Sequence, residues 1–273
     1  MNSHYVDLLE RLGYPSSLVD CMAARISHPL MIFNSPPHWY GCLPALIPIW
    51  SSGSGPAYLG ILKHWFTARP ATFVKMYIDL GFITEIARTS DQFFAVAAIA
   101  AIVGDDGVQP PTERFAKALG INNLSEIDNA TLNTGDDPKG FSTISQFRRA
   151  LPLACVSDER QYDGAFPTGG FGATSQWWLD ACTFEVSSDA QGAWPTSIPK
   201  PGWFVPGRKI SVFDRYLAQR DFHAAWLTLN STGWAIVEAV DAIQRLAEQA
   251  NDSLFSLLTL AWTNFASGRA GNY

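Results

Sequence analysis

The stretch from residue 46 to residue 103 leaves this chain little freedom of fold. It reads LIPIW (46–50), SSGSG (51–55), AYLGILKHWF (57–66), ATFVKMYID (71–79) and TSDQFFAVAAIAAIV (89–103). β-Branched and aromatic side chains fill three of these pieces and favour a pleated, half-buried surface, so each predicts a strand. The small residues of SSGSG suit a tight reversal between two of them. The Ala-, Phe- and Ile-rich last piece predicts a helix buried on most sides, with Thr89 or Ser90 as N-cap and Asp91 near its positive end. The expected fold class is α+β: a small, mainly antiparallel sheet flanked by helices, with a C-terminal helical layer.

The flanking regions fit around that unit. Two short helices, 5–12 and 16–26, are separated by Gly13 and Pro15, and HPLMIF (28–33) predicts a further strand. Pro110 and Pro111 introduce a short helix over 112–119, stopped by Gly120, after which an acidic linker is expected to about Gly140. Residues 152–210 are rich in Pro, Gly and aromatics, a composition for loops draped over a core or for a functional surface. From Val212 onward three helical stretches follow: 213–229, one starting near Ser231, and one capped by Asp252 or Ser253. The boundaries expected are an α+β unit with its acidic linker over 1–137 and a loop-rich, then helical region over 138–273. The two can also form one continuous domain.

Charge is distributed unevenly. Residues 104–137 hold Asp105, Asp106, Glu113, Glu126, Asp128, Asp136 and Asp137 against only Arg114 and Lys117, which places a net −5 of the formal −6 in that segment. Such a surface repels nucleic acid and attracts a basic protein, although a solvated connector has the same composition. The longest apolar run, 93–103, has eleven residues, against the roughly 20 needed to span a bilayer, so no membrane span is expected. Asp7, Glu10 and Arg11 interrupt the apolar period of the N-terminus, which is not read as a signal peptide, and a cytoplasmic protein is expected. Cys21, Cys42, Cys155 and Cys182 form no Cys-x-x-Cys pair and are expected to be isolated buried thiols.

No residue pattern announces catalysis. His38 and His64 each precede a Trp, yet no third ligand at coherent spacing supports a metal site. Ser52-Gly53-Ser54-Gly55 lacks the Gly-x-Ser-x-Gly elbow of a hydrolase. Gly169-Gly170-Phe171-Gly172 lacks the strand and Lys-Ser/Thr frame of a phosphate cradle. Asp158, Glu159 and Asp163, with Arg160 among them, read as a solvated loop. No cofactor is implied. Trp177, Trp178, Trp194 and Trp203 sit among turns, where they fit either a binding surface or the plug of a loop-rich core.

One further pattern concerns the strand–turn–helix unit. Ile47-Pro48-Ile49, then Gly53 and Gly55, then Ile86-Ala87, Ser90 and Phe93 resemble the core motifs of the SUKH superfamily, over about residues 46–101. That superfamily includes yeast cell-wall-assembly regulators and many bacterial immunity proteins. The resemblance implies an α+β fold used for protein binding, frequently to neutralise a toxin delivered by a neighbouring bacterium, and it carries over no catalytic residue. The function expected is therefore binding of a cognate, basic toxin and occlusion of its active site, without enzymatic activity. Asp105, Asp106, Asp128, Asp136 and Asp137 would steer the encounter, and the four Trp residues would serve as anchors. Two alternatives remain: an enzyme acting on a small or glycan-like ligand in the Gly/Trp-rich region, and a regulatory adaptor docking through its C-terminal helices.

Overall fold

The structure, a computed structural model, describes residues 3–30, 33–34, 42–52, 57–78, 80–168, 177–194, 197–266 and 272–273, without the side chains of Asn34 and Trp177. Its centre is an antiparallel meander in the order β1 (Phe33–Asn34), β2 (Leu46–Ser52), β3 (Ala57–Leu62), β4 (Thr72–Tyr77) and β5 (Phe82–Ala87). The fold is α+β, as the pattern predicted. Every residue of β3 is buried, so the strand reads as a continuous apolar run because both faces of the sheet are covered. Pairing of β2 with β3 shifts register between Pro48 and Trp50, where proline cannot donate to the ladder. Gly60 faces Pro48 there, and a side chain on it would run into the Ile47 carbonyl oxygen.

Three strand expectations need correction. Residues 57–66 end as a strand at Leu62, and Phe66 takes a left-handed φ of 62°. Among the described residues of 28–33, only Phe33 pairs with the sheet, while His28 is buried off it. β5 was not foreseen, because Thr84 and Glu85 break its apolar character; its place in the sheet depends on partners that Glu85 finds elsewhere in the chain. Gly53 and Gly55 of the turn lie outside the described residues.

Helices cover both faces. α1 (Ser3–Arg11) and α2 (Ser16–Met22) form near their expected positions. α3 (Ser90–Gly104) is N-capped by Thr89, whose hydroxyl accepts the Gln92 N–H at 3.3 Å. Phe93 on α3 stacks on Trp50 of β2 and Phe73 of β4, with ring centroids 5.3 and 4.7 Å away. α4 (Pro110–Leu119) ends at Gly120 as expected. The linker expected beyond it is corrected: residues Leu124–Thr134 form α5, whose one fully buried apolar residue, Ile127, packs with Ile99 and Ile102 of α3. One well-placed isoleucine anchors a helix whose composition otherwise reads as loop.

The described residues of 138–205 run mostly through short 3-10 turns, with one α-helix among them, α6 (Ser188–Gly192). The C-terminal layer consists of α7 (Lys209–Ala218), α8 (Phe222–Leu229), α9 (Ile236–Ala250) and α10 (Ser253–Ala266). The helix expected over 213–229 is thus two, broken where Arg220 takes φ 57° and Asp221 caps α8 by accepting the Ala224 N–H at 3.0 Å. Asp252 caps α10 as expected, accepting the Phe255 N–H at 2.8 Å, whereas Ser231 is buried and bonds back to Leu227. One apolar core runs from Tyr5 to Ala266, on both sides of residue 137. A smaller one joins α3 and α5 to Phe141, Phe147 and Cys155. All four cysteines are buried thiols outside any disulfide, as expected. No helix among the described residues is long and apolar enough to cross a membrane.

Candidate functional site

The acidic segment folds as a layer on the outer side of α3. Asp105 and Asp106 directly follow the C-terminus of α3, and Asp136 and Asp137 follow that of α5; all four are exposed. A helix C-terminus carries about −0.5 elementary charge, so an acid there costs roughly 0.3–1 kcal/mol where a lysine would stabilise. Asp105, Asp106 and Asp136 therefore sit where the helix dipole selects against them, whereas Asp137 also caps the next 3-10 turn by accepting the Lys139 N–H at 3.1 Å. Asp106 and Asp128 line one cleft of about 270 Å³ together with Val103 and Leu132. Leu132 is 77% exposed and Val103 39%, so the acids rim a small apolar floor. Among the described residues, none of the five aspartates makes an ion pair. Glu126 differs: it accepts from Ser145 and Asn123 and pairs with Arg148 at 2.7 Å, contacts that hold its carboxyl below the usual range.

Three of the tryptophans take the second of the two roles open to them. Trp178, Trp194 and Trp203 are between 3% and 8% exposed. Trp178 meets Trp194 edge-on at 4.2 Å and Phe204 at 5.9 Å, while the indole N–H groups of Trp194 and Trp203 donate to Ile198 O and Ala181 O. The expectation of surface anchors is corrected for these three, which plug a core beneath the loops, because large aromatic rings supply the buried apolar area that the Gly/Pro-rich turns around them lack. The side chain of Trp177 lies outside the described residues, as do His38 and the glycines at 169, 170 and 172.

Two buried carboxylates were missed, and they tie the irregular segment to the sheet. Glu85 on β5 accepts from Thr72 Oγ1 at 2.6 Å, the Leu153 N–H at 2.9 Å and the Tyr162 hydroxyl at 2.6 Å. Burial, and then the Glu85 charge, push the Tyr162 phenol up, so it remains a donor. Glu185 accepts from Arg69, from His64 Nε2 at 3.0 Å and from the Cys182 N–H at 2.9 Å. Burial alone would raise the Glu185 carboxyl, but Arg69 and then His64 hold it far below the usual carboxylate range. Desolvation lowers His64 despite Glu185, so the neutral ring donates a hydrogen bond to the carboxylate instead of forming an ion pair. A charged residue inside an apolar run, as in FITEIA or CTFEV, was the available signal.

His64, Cys182 and Glu185 hold their ligand atoms within 4.8 Å of one another, a spacing that could suit a metal ion. Their chemistry does not fit one. Both Glu185 oxygens already face the Arg69 guanidinium, and burial keeps Cys182 as a thiol, where a metal requires thiolate. No protein-family model, curated protein or solved structure matches this chain.

Proposed function

We propose that this chain is an immunity-type protein of the cytoplasm that binds a basic toxin and covers its active site. The observation that carries this reading is the pair of exposed aspartate pairs at the C-terminal ends of α3 and α5, where they oppose both helix dipoles and have no cationic partner among the described residues. Charge kept against local stability is charge kept for a partner, and a single-sign face raises the rate of encounter with a basic protein. Val103 and Leu132 supply the apolar contact that slows dissociation once the faces meet. The SUKH-like residues of β2, β5 and α3 support the same reading, since they build the sheet–helix core on which this layer rests.

The test pairs the purified protein with the toxin encoded beside its gene and follows association by stopped-flow at several salt concentrations. Replacing Asp105, Asp106, Asp128, Asp136 and Asp137 by Asn is expected to slow association at least ~10-fold at low salt and to flatten its salt dependence. Leu132→Ala should act mainly on dissociation. Loss of the idea would follow from an unchanged on-rate, or from failure of the wild-type protein to protect cells from that toxin.

A further inference from the structure

Away from the acidic layer, a cleft of about 720 Å³ opens between the 199–205 loop, α7 and the start of α8, a size in the range of small-molecule sites, roughly 300–1,000 Å³. Its wall is fixed. Buried Lys209 donates to Trp203 O at 2.7 Å and Val205 O at 3.1 Å, and the Trp203 indole is held by Ala181 O. Leu179 and Val205, each 45% exposed, line it beside the Trp203 and Tyr216 rings, whose centroids are 6.0 Å apart. The cleft therefore offers apolar and aromatic surface to something other than the protein itself.

Its two carboxylates and two cations are engaged differently. Asp180 lies 3.3 Å from His223 Nε2, and Asp221 is engaged by the Ala224 N–H, so both acids have internal partners. The two ring nitrogens of His223 face Phe66 O at 3.1 Å and Leu179 O at 2.8 Å, which ties the ring into the wall. Lys200 donates to a backbone oxygen, Gln191 O, at 3.1 Å and lies 5.8 Å from the Trp194 ring centroid, and the Arg215 guanidinium rests over Tyr216 at 4.9 Å. Among the described residues neither cation has a carboxylate partner. Gly202 sets where Arg215 lies: a methyl group there would come 2.8 Å from its Nη2 and 2.9 Å from the Tyr216 hydroxyl.

From two cations that line this apolar, aromatic cleft without a carboxylate partner, we infer that the cleft binds a small organic anion, an aromatic carboxylate or phosphate ester, with its head on Arg215 and Lys200 and its ring against Leu179 and Val205. Carboxylate and phosphate share the chemistry of a guanidinium fork, and the assay separates them. The inference is independent of toxin binding.

The full chain is titrated by calorimetry with 2-naphthoate, 1-naphthyl phosphate and the neutral 2-naphthalenemethanol. Saturable one-to-one binding of at least one anion is expected, at least ~10-fold tighter than that of the alcohol. The double variant Arg215→Gln/Lys200→Gln, changed only at exposed side chains, should weaken the anion by at least ~10-fold, and Gly202→Ala should weaken it less. Arg160→Gln, an exposed cation elsewhere, should leave it unchanged. No saturable binding of either anion, equal affinity for the alcohol, or unchanged affinity in the double variant would overturn the inference.

Discussion

Asp105, Asp106, Asp136 and Asp137 stand in water beyond the ends of α3 and α5, whereas Glu85 and Glu185 are each 2% exposed and hydrogen-bonded under the irregular segment. Both groups are carboxylates, yet they serve opposite ends. A buried charge is tolerable only when its partners are supplied, so Glu185 requires Arg69 and His64 in place before the segment over 180–185 can dock. The exposed aspartates make no ion pair among the described residues and oppose the helix ends they follow, although Asp137 also accepts the Lys139 N–H. Tertiary order depends on the first group, and the proposed function assigns recognition to the second.

The largest effect expected from this contrast is at Glu185. Glu185→Ala strands the Arg69 guanidinium, which is 9% exposed, and should cost about 3–5 kcal/mol in a urea melt. The double variant Arg69→Met/Glu185→Leu should recover most of that loss, since it removes both charges together. A cost for Glu185→Ala below ~0.5 kcal/mol, the size of an ordinary surface change, would end the distinction between the two groups.

Acid should act next, and first through histidines. His28 takes a hydrogen bond from the Leu30 N–H at Nδ1 and donates from Nε2 to Ala97 O at 2.9 Å, and burial among aromatic rings lowers its pKa from 6.5 to about 4. As pH falls below 6.5 the unfolded chain takes up a proton that the native ring refuses, so stability falls as pH drops toward 4, by on the order of 3 kcal/mol for this group. His64, also lowered by burial, acts in the same direction. Glu185 works lower in pH: its depressed carboxyl contributes stability in full above the ordinary carboxylate range, and that is lost progressively as pH falls from there through its own low value. Urea midpoints between pH 7 and pH 4 should therefore drop in the wild type and drop less in His28→Gln. Equal slopes would remove His28 from the account.

The smallest stability effect should come from the acidic layer, and with the opposite sign. Replacing Asp105, Asp106, Asp136 and Asp137 by Asn relieves two helix C-termini and should raise stability by roughly 0.3–1 kcal/mol per helix end. A chain that becomes more stable while binding its partner more slowly would sharpen the comparison. A destabilised one would mean that these aspartates hold the fold after all.

Much of the scaffold could be read from one-dimensional pattern. β2, β3, β4 and α3 follow from apolar period and β-branched content, and Thr89 and Asp252 cap the helices they were expected to cap. β5 and α5 could not be read that way, because each depends on contacts far along the chain: Glu85 on Leu153 and Tyr162, Ile127 on Ile99 and Ile102. The acidity of the candidate site was visible in composition, but its grouping beyond two helix ends and around one cleft was not. The tryptophans marked the loop region as special without saying whether they faced in or out.

Local sequence alone determined the α+β class, the buried helix α3 and the concentration of acid in one segment, since these depend on residues a few positions apart. Only the tertiary structure decided which carboxylates are buried and which are free. Desolvation and pairing are properties of neighbours in space, and His64 meets Glu185 across 121 residues of chain.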